Sequence, residues 1–339
     1  MRFSTGLPNC REGRQNLIGS VSRDAIVRQA AVAEECGYYA LWPNEFFNTR
    51  PEVARKYSQP PNNFDTLISM AYVAAATRRI RIMPSTLVLP LHEPIQLARQ
   101  VATLDVFSEG RISLGIGLGG DRDEFKRFRH DSPNRSRLMD EMVQAMRVLW
   151  NERHASYSGQ YVQFEDIETY PKPIQDPLPI YRAGHGEEVF KWIARYGQGW
   201  IDSTQKPEEA TGYIERLKAL GTEAGRDGNA LEIVRQWYVS IAETEAEANA
   251  VYAASVPPPE QARATSTPSS GASPRSGPGF GVQPQWEQSL VGTPAQILER
   301  LRDYVPLGVT EVCAIFYSAD VESMERQTRL FAREVMGRW

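Results

Sequence analysis

Residues Ile80-Arg81-Ile82-Met83-Pro84-Ser85-Thr86-Leu87-Val88-Leu89-Pro90-Leu91-His92-Glu93-Pro94, continuing to Gly110-Arg111-Ile112-Ser113-Leu114-Gly115-Ile116-Gly117, hold one full period of the chain. Ile80–Met83 is a short apolar run of strand type. A helix then opens with Pro94 at its first position, where a missing N–H costs nothing. Ile95, Ala98, Ala102 and Asp105 share a face of it, widened by Val101 and Leu104. Arg111–Gly117 is a second strand-like run. The unit is strand, helix, strand, with a connection long enough for a parallel crossover.

The same rhythm extends in both directions. Upstream lie a strand at Arg2–Leu7, a helix capped by Ser22, a strand at Tyr38–Trp42 and a helix over 64–76. Downstream come a helix over 137–149, a polar hairpin-like stretch at 155–164, and strands at 179–183, 199–203, 231–242 and 311–316. Helices at 187–196, 207–224, 243–254 and 321–335 alternate with them. Thr293-Pro294-Ala295-Gln296 forms a capping box with proline at the first helical position. Eight strands each followed by a helix predict an α/β protein with a parallel sheet closed into a single (β/α)8 TIM barrel, with insertions on its C-terminal face. No Gly-x-Gly-x-x-Gly follows the first strand, as an open dinucleotide-binding sheet would require. Residues 1–339 therefore read as one barrel. Within it, residues 255–288 are rich in Pro, Ser, Gly and Ala and poor in aliphatic side chains, which predicts a disordered insertion or, as we favour, a mobile lid on the active-site face.

Composition bounds the function. Of 339 residues 41% are hydrophobic and 24% charged, with a net charge of −4 and both signs interspersed, so no basic face for nucleic acid is expected. No apolar run is long enough for a membrane span, and the first residues lack a signal peptide's apolar stretch. Cys10, Cys36 and Cys313 are sparse and odd in number, which fits reduced thiols in a cytoplasmic protein. His92, His130, His154 and His185 show no metal-ligand spacing; His130 and His154 read as surface residues.

Barrel chemistry is built at strand C-termini. Those ends carry Pro8-Asn9, Asn44-Glu45, Ser85-Thr86, Gly115 to Gly120, Arg182 to Gly186, and Asp202-Ser203. They supply no Ser/His/Asp set and no metal cluster, which suits a cofactor that brings its own chemistry. A hydrolase would need facing carboxylates, and only Glu45 and Asp202 are candidates. Gly184-His185-Gly186, just before a helix, is either a tight turn or an anion site made of backbone N–H groups. Gly115 and Gly117 remove side chains, so a flat ring could lie against the backbone there. His185 could donate to a phosphate or to substrate. Arg135 and Arg137 stand at a helix start, a disfavoured place for cations, which reads either as an anion or carboxylate partner or as a solvated arginine pair.

These motifs, with Ala98 to Asp105, Leu149-Trp150, Tyr157 to Tyr161, Pro171 to Gln175, Ala194 to Gly197 and Val291 to Pro294, resemble the bacterial luciferase-like monooxygenase superfamily over nearly the whole chain. The resemblance implies FMN or the deazaflavin coenzyme F420 bound across the C-terminal mouth, a small organic substrate, a reductase that supplies reduced cofactor, and a homodimer. It implies a non-prolyl cis peptide at Ser85–Thr86 beneath the ring, and phosphate binding at Gly184, His185 and Gly186, with Ser85, Thr86, Gly115, Gly117 and Arg135 completing the cofactor site. The family commonly has a histidine after strand 2, where this chain has Phe46. Glu45, Asn44 or His185 would then carry proton transfer, or the protein is a non-catalytic flavin-binding homologue. Leu118 stands where luciferases can carry an arginine, which argues against light emission.

Overall fold

The computed structural model describes residues 1–49, 59–120, 122–128, 134–202, 207–255, 289–304 and 306–339. The strands are β1 (Arg2–Gly6), β2 (Ala40–Trp42), β3 (Arg81–Ile82), β4 (Leu87–Val88), β5 (Leu114–Gly117), β6 (Ala155–Ser158), β7 (Gln163–Ile167), β8 (Ile180–Ala183), β9 (Gly199–Asp202), β10 (Glu232–Ile241), β11 (Ser289–Gly292) and β12 (Glu311–Phe316). The helices are α1 (Arg23–Glu35), α2 (Thr66–Ala76), α3 (Pro94–Phe107), α4 (Arg122–Arg127), α5 (Arg135–Asn151), α6 (Glu187–Tyr196), α7 (Pro207–Glu223), α8 (Glu245–Ser255), α9 (Pro294–Arg302) and α10 (Val321–Glu334).

The parallel strands run in the order β3, β2, β1, β12, β10, β9, β8, β5, β4. The two ends of that path are one interrupted strand. Ile82 bridges Ile112 through Ile82 N to Arg111 O at 3.0 Å and Ser113 N to Ile82 O at 3.1 Å, while Leu87 and Val88 pair with Ile116 and Gly117. Both halves of the third strand thus face the β5 strand, and the eight-stranded barrel closes as expected from the alternation. Where one strand was expected at 80–83, the chain leaves the ladder after Ile82 and rejoins it at Leu87. One strand was not foreseen: β11 lies parallel to the outer half of β10, because Leu290 buries beside Val239 there. Residues 256–288, read as the lid, lie outside the described residues, as do His130 and Ser203.

Helix starts follow their caps. Ser22 accepts from Ala25 N, Asp65 from Ile68 N, and Glu93 from Ile95 N and Gln96 N ahead of Pro94. Thr293 and Gln296 form the reciprocal capping box. Leu97, Ala98, Val101, Ala102 and Leu104 bury one face of α3 in the core between helices and barrel. Asp105, on that same face, accepts from Ile174 N, Gln175 N and Gln175 Nε2 at 2.6–3.0 Å, which pins the Pro171–Gln175 motif to the barrel wall. The hairpin β6–β7 is held likewise: Glu141 accepts from Gln160 N, Tyr161 N and Val162 N.

The barrel interior is lined by Ala40, Trp42, Met83, Tyr181, Ile201, Val234, Cys313 and Ile315. Its N-terminal floor is polar. Arg2 pairs with Glu232 and lies 3.4 Å from Glu311, and Ser4 Oγ donates to Glu311 at 2.5 Å. With two carboxylates sharing one guanidinium, burial pushes the Glu311 carboxyl up to about 7. An acid whose folded value lies above its unfolded one binds more protons when folded between about pH 4.5 and 7, so stability falls as pH rises through that window. Glu311→Gln is expected to flatten this slope while keeping the Ser4 contact. Denaturant midpoints at pH 5 and 8 check it; an unchanged slope removes Glu311 as its source.

Candidate active site

The C-terminal mouth is organised by the break in the third strand. The Ser85–Thr86 peptide is cis, as the resemblance implied. Ser85 N donates to Pro43 O at 2.8 Å, and Gln236 Nε2 reaches from β10 to Ser85 Oγ. This bulge explains the glycines of β5. A Cβ on Gly115 would meet Pro84 O at 2.0 Å and Ile201 Cδ1 at 2.9 Å; one on Gly117 would meet Thr86 Oγ1 at 2.5 Å. The space that glycine frees at 115 and 117 is filled by the protein's own bulge. A ring would therefore rest on the bulge, with β5 behind it.

Asn44 and Glu45 follow β2. Asn9, fully buried after β1, accepts from Asn44 N at 3.0 Å and donates Nδ2 to Asn44 O at 2.8 Å. The Glu45 carboxylate, 7% exposed, accepts from Val88 N at 2.6 Å and lies 3.1 Å from His92 Nε2 through both oxygens. Phe46 carries the Arg14 guanidinium 3.3 Å over its ring, and Phe47 sets its ring edge-on to His92. An imidazole thus stands beside Glu45 although Phe46 is no proton carrier. His92 lies one residue before the Glu93 cap of α3, and histidine spacing alone gives it no role.

On the other side of the bulge, β5 and β8 are neighbours, with Ile116 level with Arg182. Arg135, at the first turn of α5, donates to Leu118 O and Gly119 O at 3.3 and 3.2 Å and lies 4.5 Å over the Phe125 ring. Arg182 donates to Asp140 at 2.8 Å and to Ser136 at 3.1 Å. Burial lowers the Arg182 guanidinium's proton affinity, which Asp140 partly restores; the same burial raises Asp140. Gly184 and Gly186 take φ of 105° and 109°, a region L side chains rarely adopt, and they lead into α6. A Cβ on Gly186 would meet nothing within 4 Å. Gly184 is fixed by Trp200 Nε1 donating to its carbonyl at 2.7 Å. His185 is exposed and stacked on Tyr213 of α7 at 5.9 Å.

The expected cofactor residues therefore form one arc: Ser85 and Thr86, then Gly115 and Gly117, then Arg135 and Gly184 to Gly186. Of the expected proton carriers, Asn44 and Glu45 flank one end of the arc and His185 the other, with the third strand and β5 between β2 and β8. Asp202 does not face Glu45 as a hydrolase acid: it is fully buried and takes Arg235 Nη1 at 2.5 Å. Arg11, Gln236 and His92 were not singled out from sequence.

A closed parallel barrel thus carries at its mouth a cis bulge in its third strand and a glycine turn into α6. The chain matches the luciferase-like monooxygenase family over residues 1–311, and it belongs to that family. It is 36% identical over 212 residues to an uncharacterised protein of Mycobacterium tuberculosis, spanning 59% of this chain and 74% of that one. It is 26% identical over 329 residues to the FMNH(2)-dependent dimethylsulfone monooxygenase of Pseudomonas putida, spanning 90% and 87%. It is 30% identical over 218 residues to the F420-dependent glucose-6-phosphate dehydrogenase of Kineococcus radiotolerans, spanning 60% and 61%. A monooxygenase of Streptomyces bottropensis shares its fold, with a TM-score of 0.80 at 22% identity over 100% of this chain and 99% of that one. No helix among the described residues is long and apolar enough to cross a membrane.

Proposed function

We propose that the chain is an oxidoreductase that holds reduced FMN or coenzyme F420 across the barrel mouth and acts on a small organic molecule. The observation that carries this is the arc from the Ser85–Thr86 bulge to the Gly184–Gly186 turn, on a chain whose relatives include both an FMNH(2)-dependent monooxygenase and an F420-dependent dehydrogenase. When bound, the cofactor supplies two electrons, either to activate oxygen or as hydride.

The chain's own residues do the rest. The bulge supports the ring and is held in place by Gln236 and by the backbone of Pro43. The N–H groups at Gly186 and the start of α6 would receive the phosphate. Glu45 fixes β4 through Val88 N and orients the His92 imidazole, the pair best placed to hold or move a proton at His92 Nε2. This reading is favoured over a non-catalytic flavin-binding homologue, because an imidazole, that of His92, stands beside Glu45 although Phe46 carries none. A reductase that supplies the reduced cofactor, and a cytoplasmic location, belong to the same proposal.

Titration of the purified protein with FMN and with F420, oxidised and reduced, tests it; binding of neither ends the proposal. Glu45→Gln keeps one acceptor for Val88 N but weakens the hold on His92, and should lower turnover about 10²-fold without loss of fold. A wild-type rate would take Glu45 out of the mechanism. We also propose a homodimer, with a second copy covering Ile68, Tyr72 and Phe107, which are 72%, 44% and 73% exposed on the neighbouring helices α2 and α3. A single-chain mass by light scattering at micromolar concentration would exclude it.

A further inference from the structure

Four arginines among the described residues are buried, and three of them have a carboxylate or a set of carbonyl acceptors, although Arg182 Nε too is buried without a hydrogen-bond partner. Arg182 has Asp140 and Arg235 has Asp202. Arg111 donates to the carbonyls of Ala74, Thr77, Ile80 and Ser108 and to Thr77 Oγ1. Arg11 is different. It follows the turn Pro8–Cys10 at the end of β1, is 4% exposed, and folds back against Gly6 and Leu7. A Cβ added to Gly6 would lie 3.3 Å from its Nε and 3.4 Å from its Nη2. Nε donates to Leu7 O at 3.1 Å, and Nη2 is buried with no hydrogen-bond partner.

The groups around this guanidinium are Tyr238, Cys313 and Cys10, and among the described residues no carboxylate pairs with it. Glu12, its neighbour in sequence, is committed elsewhere, accepting from Gly19 N, Val21 N and Asn62 N at 2.8–3.0 Å. A buried cation without a counter-charge is unfavourable, and a bound anion would relieve that cost. Its position says which ligand. In the eight-strand ring β1 stands four strands from β8 in either direction, so Arg11 faces the proposed cofactor arc from across the mouth.

We propose that Arg11 receives the negatively charged oxygens of the substrate, so that the enzyme acts on small organic acids, carboxylates first among them. The inference rests on the oxidoreductase reading above and names its substrate class. The anion gives Nη2 its missing acceptor and the guanidinium its counter-charge, in the planar geometry that arginine and carboxylate share. A neutral analogue of the same shape would leave the charge buried and unpaired, which is how such a site discriminates.

The test compares acids with their amides on the full-length protein: acetate against acetamide, benzoate against benzamide, decanoate against decanamide. Thermal unfolding and calorimetric titration are read for wild type, Arg11→Met and Arg11→Gln. At least one acid is expected to bind wild type tenfold or more tightly than its amide and to raise its Tm. Both variants should lose that preference, and Arg11→Met without ligand should melt at or above wild type, since it removes an unpaired buried charge. Gln, which can still donate to Leu7 O, keeps the comparison open if Met does not fold. Equal binding of every acid and amide by wild type overturns the proposal, as does an acid preference that survives in the variants. FMN and F420 are titrated into the same proteins. If the variants lose reduced cofactor while showing no change with acids, the anion belongs to the cofactor and the substrate assignment falls. If wild type binds neither cofactor, the oxidoreductase reading fails on its own, separately from the acid comparison.

Discussion

Gly115→Ala should destabilise the protein by about 3 kcal/mol, at the upper end of what overpacking a tight interior costs. The added methyl has nowhere to go. It would sit 2.0 Å from the Pro84 carbonyl oxygen, which is backbone, and 2.9 Å from the tip of Ile201 on the far side. Gly115 pairs with Tyr181 while its strand also carries Leu87 and Val88, so β5 cannot shift outward without losing register on both sides. For a chain of this size the loss corresponds to a fall in Tm of about 4 °C. Gly117→Ala meets a side chain, the Thr86 hydroxyl, and should cost less; pairing it with Thr86→Ala should recover part of the loss. Calorimetric melting of the three variants decides the matter. A Gly115→Ala protein that melts with wild type would mean that the bulge does not press on β5.

Asp202→Ala should cost about 3–5 kcal/mol, the range for removing one partner of a buried ion pair. Asp202 is fully buried at the end of β9 and holds Arg235, whose guanidinium carbon lies 4.8 Å from the Trp237 ring and 4.4 Å from the Tyr304 ring. Those rings keep water from replacing the carboxylate. The loss then includes the cost of a buried cation deprived of this carboxylate. Asp202→Ala combined with Arg235→Met should be closer to wild type than Asp202→Ala alone, because an apolar replacement of a whole buried pair is often neutral. Urea midpoints of the single and double variants give the coupling. A double variant as unstable as the sum of its parts would show that the two side chains act independently.

How much of this was legible beforehand depends on the kind of signal. Periodicity carried the alternation, and with it the closed barrel. Ser22, Thr293 and Gln296 act at short range, so their caps could be read from spacing alone. The third strand could not: Ile80–Met83 and Leu87–Leu91 are equally apolar, and nothing in a hydrophobic run shows where the backbone leaves the ladder. Gly115 and Gly117 were noticed, but the atoms they make room for belong to residues 84 and 86, on the facing strand. Arg11 sits among polar residues and reads as a solvated cation; its burial is a tertiary fact. The cis bond at Ser85–Thr86 came from family resemblance, which carries the tertiary knowledge that local chemistry lacks.

The pairing of β1 with β12 has a consequence for how the molecule comes into being. Thr5 donates its hydroxyl to Ala314 O across 309 positions of sequence. Until residues 311–316 have been synthesised, β1 has β2 on one side and an open edge on the other. That edge and the inner half of β10 must wait together for the same six residues. Contacts so distant along the chain make for slow closure, and an exposed strand edge invites pairing with other chains meanwhile. Neither edge can close before residues 311–316 exist, so chaperone demand should fall on the incomplete chain rather than on the finished barrel.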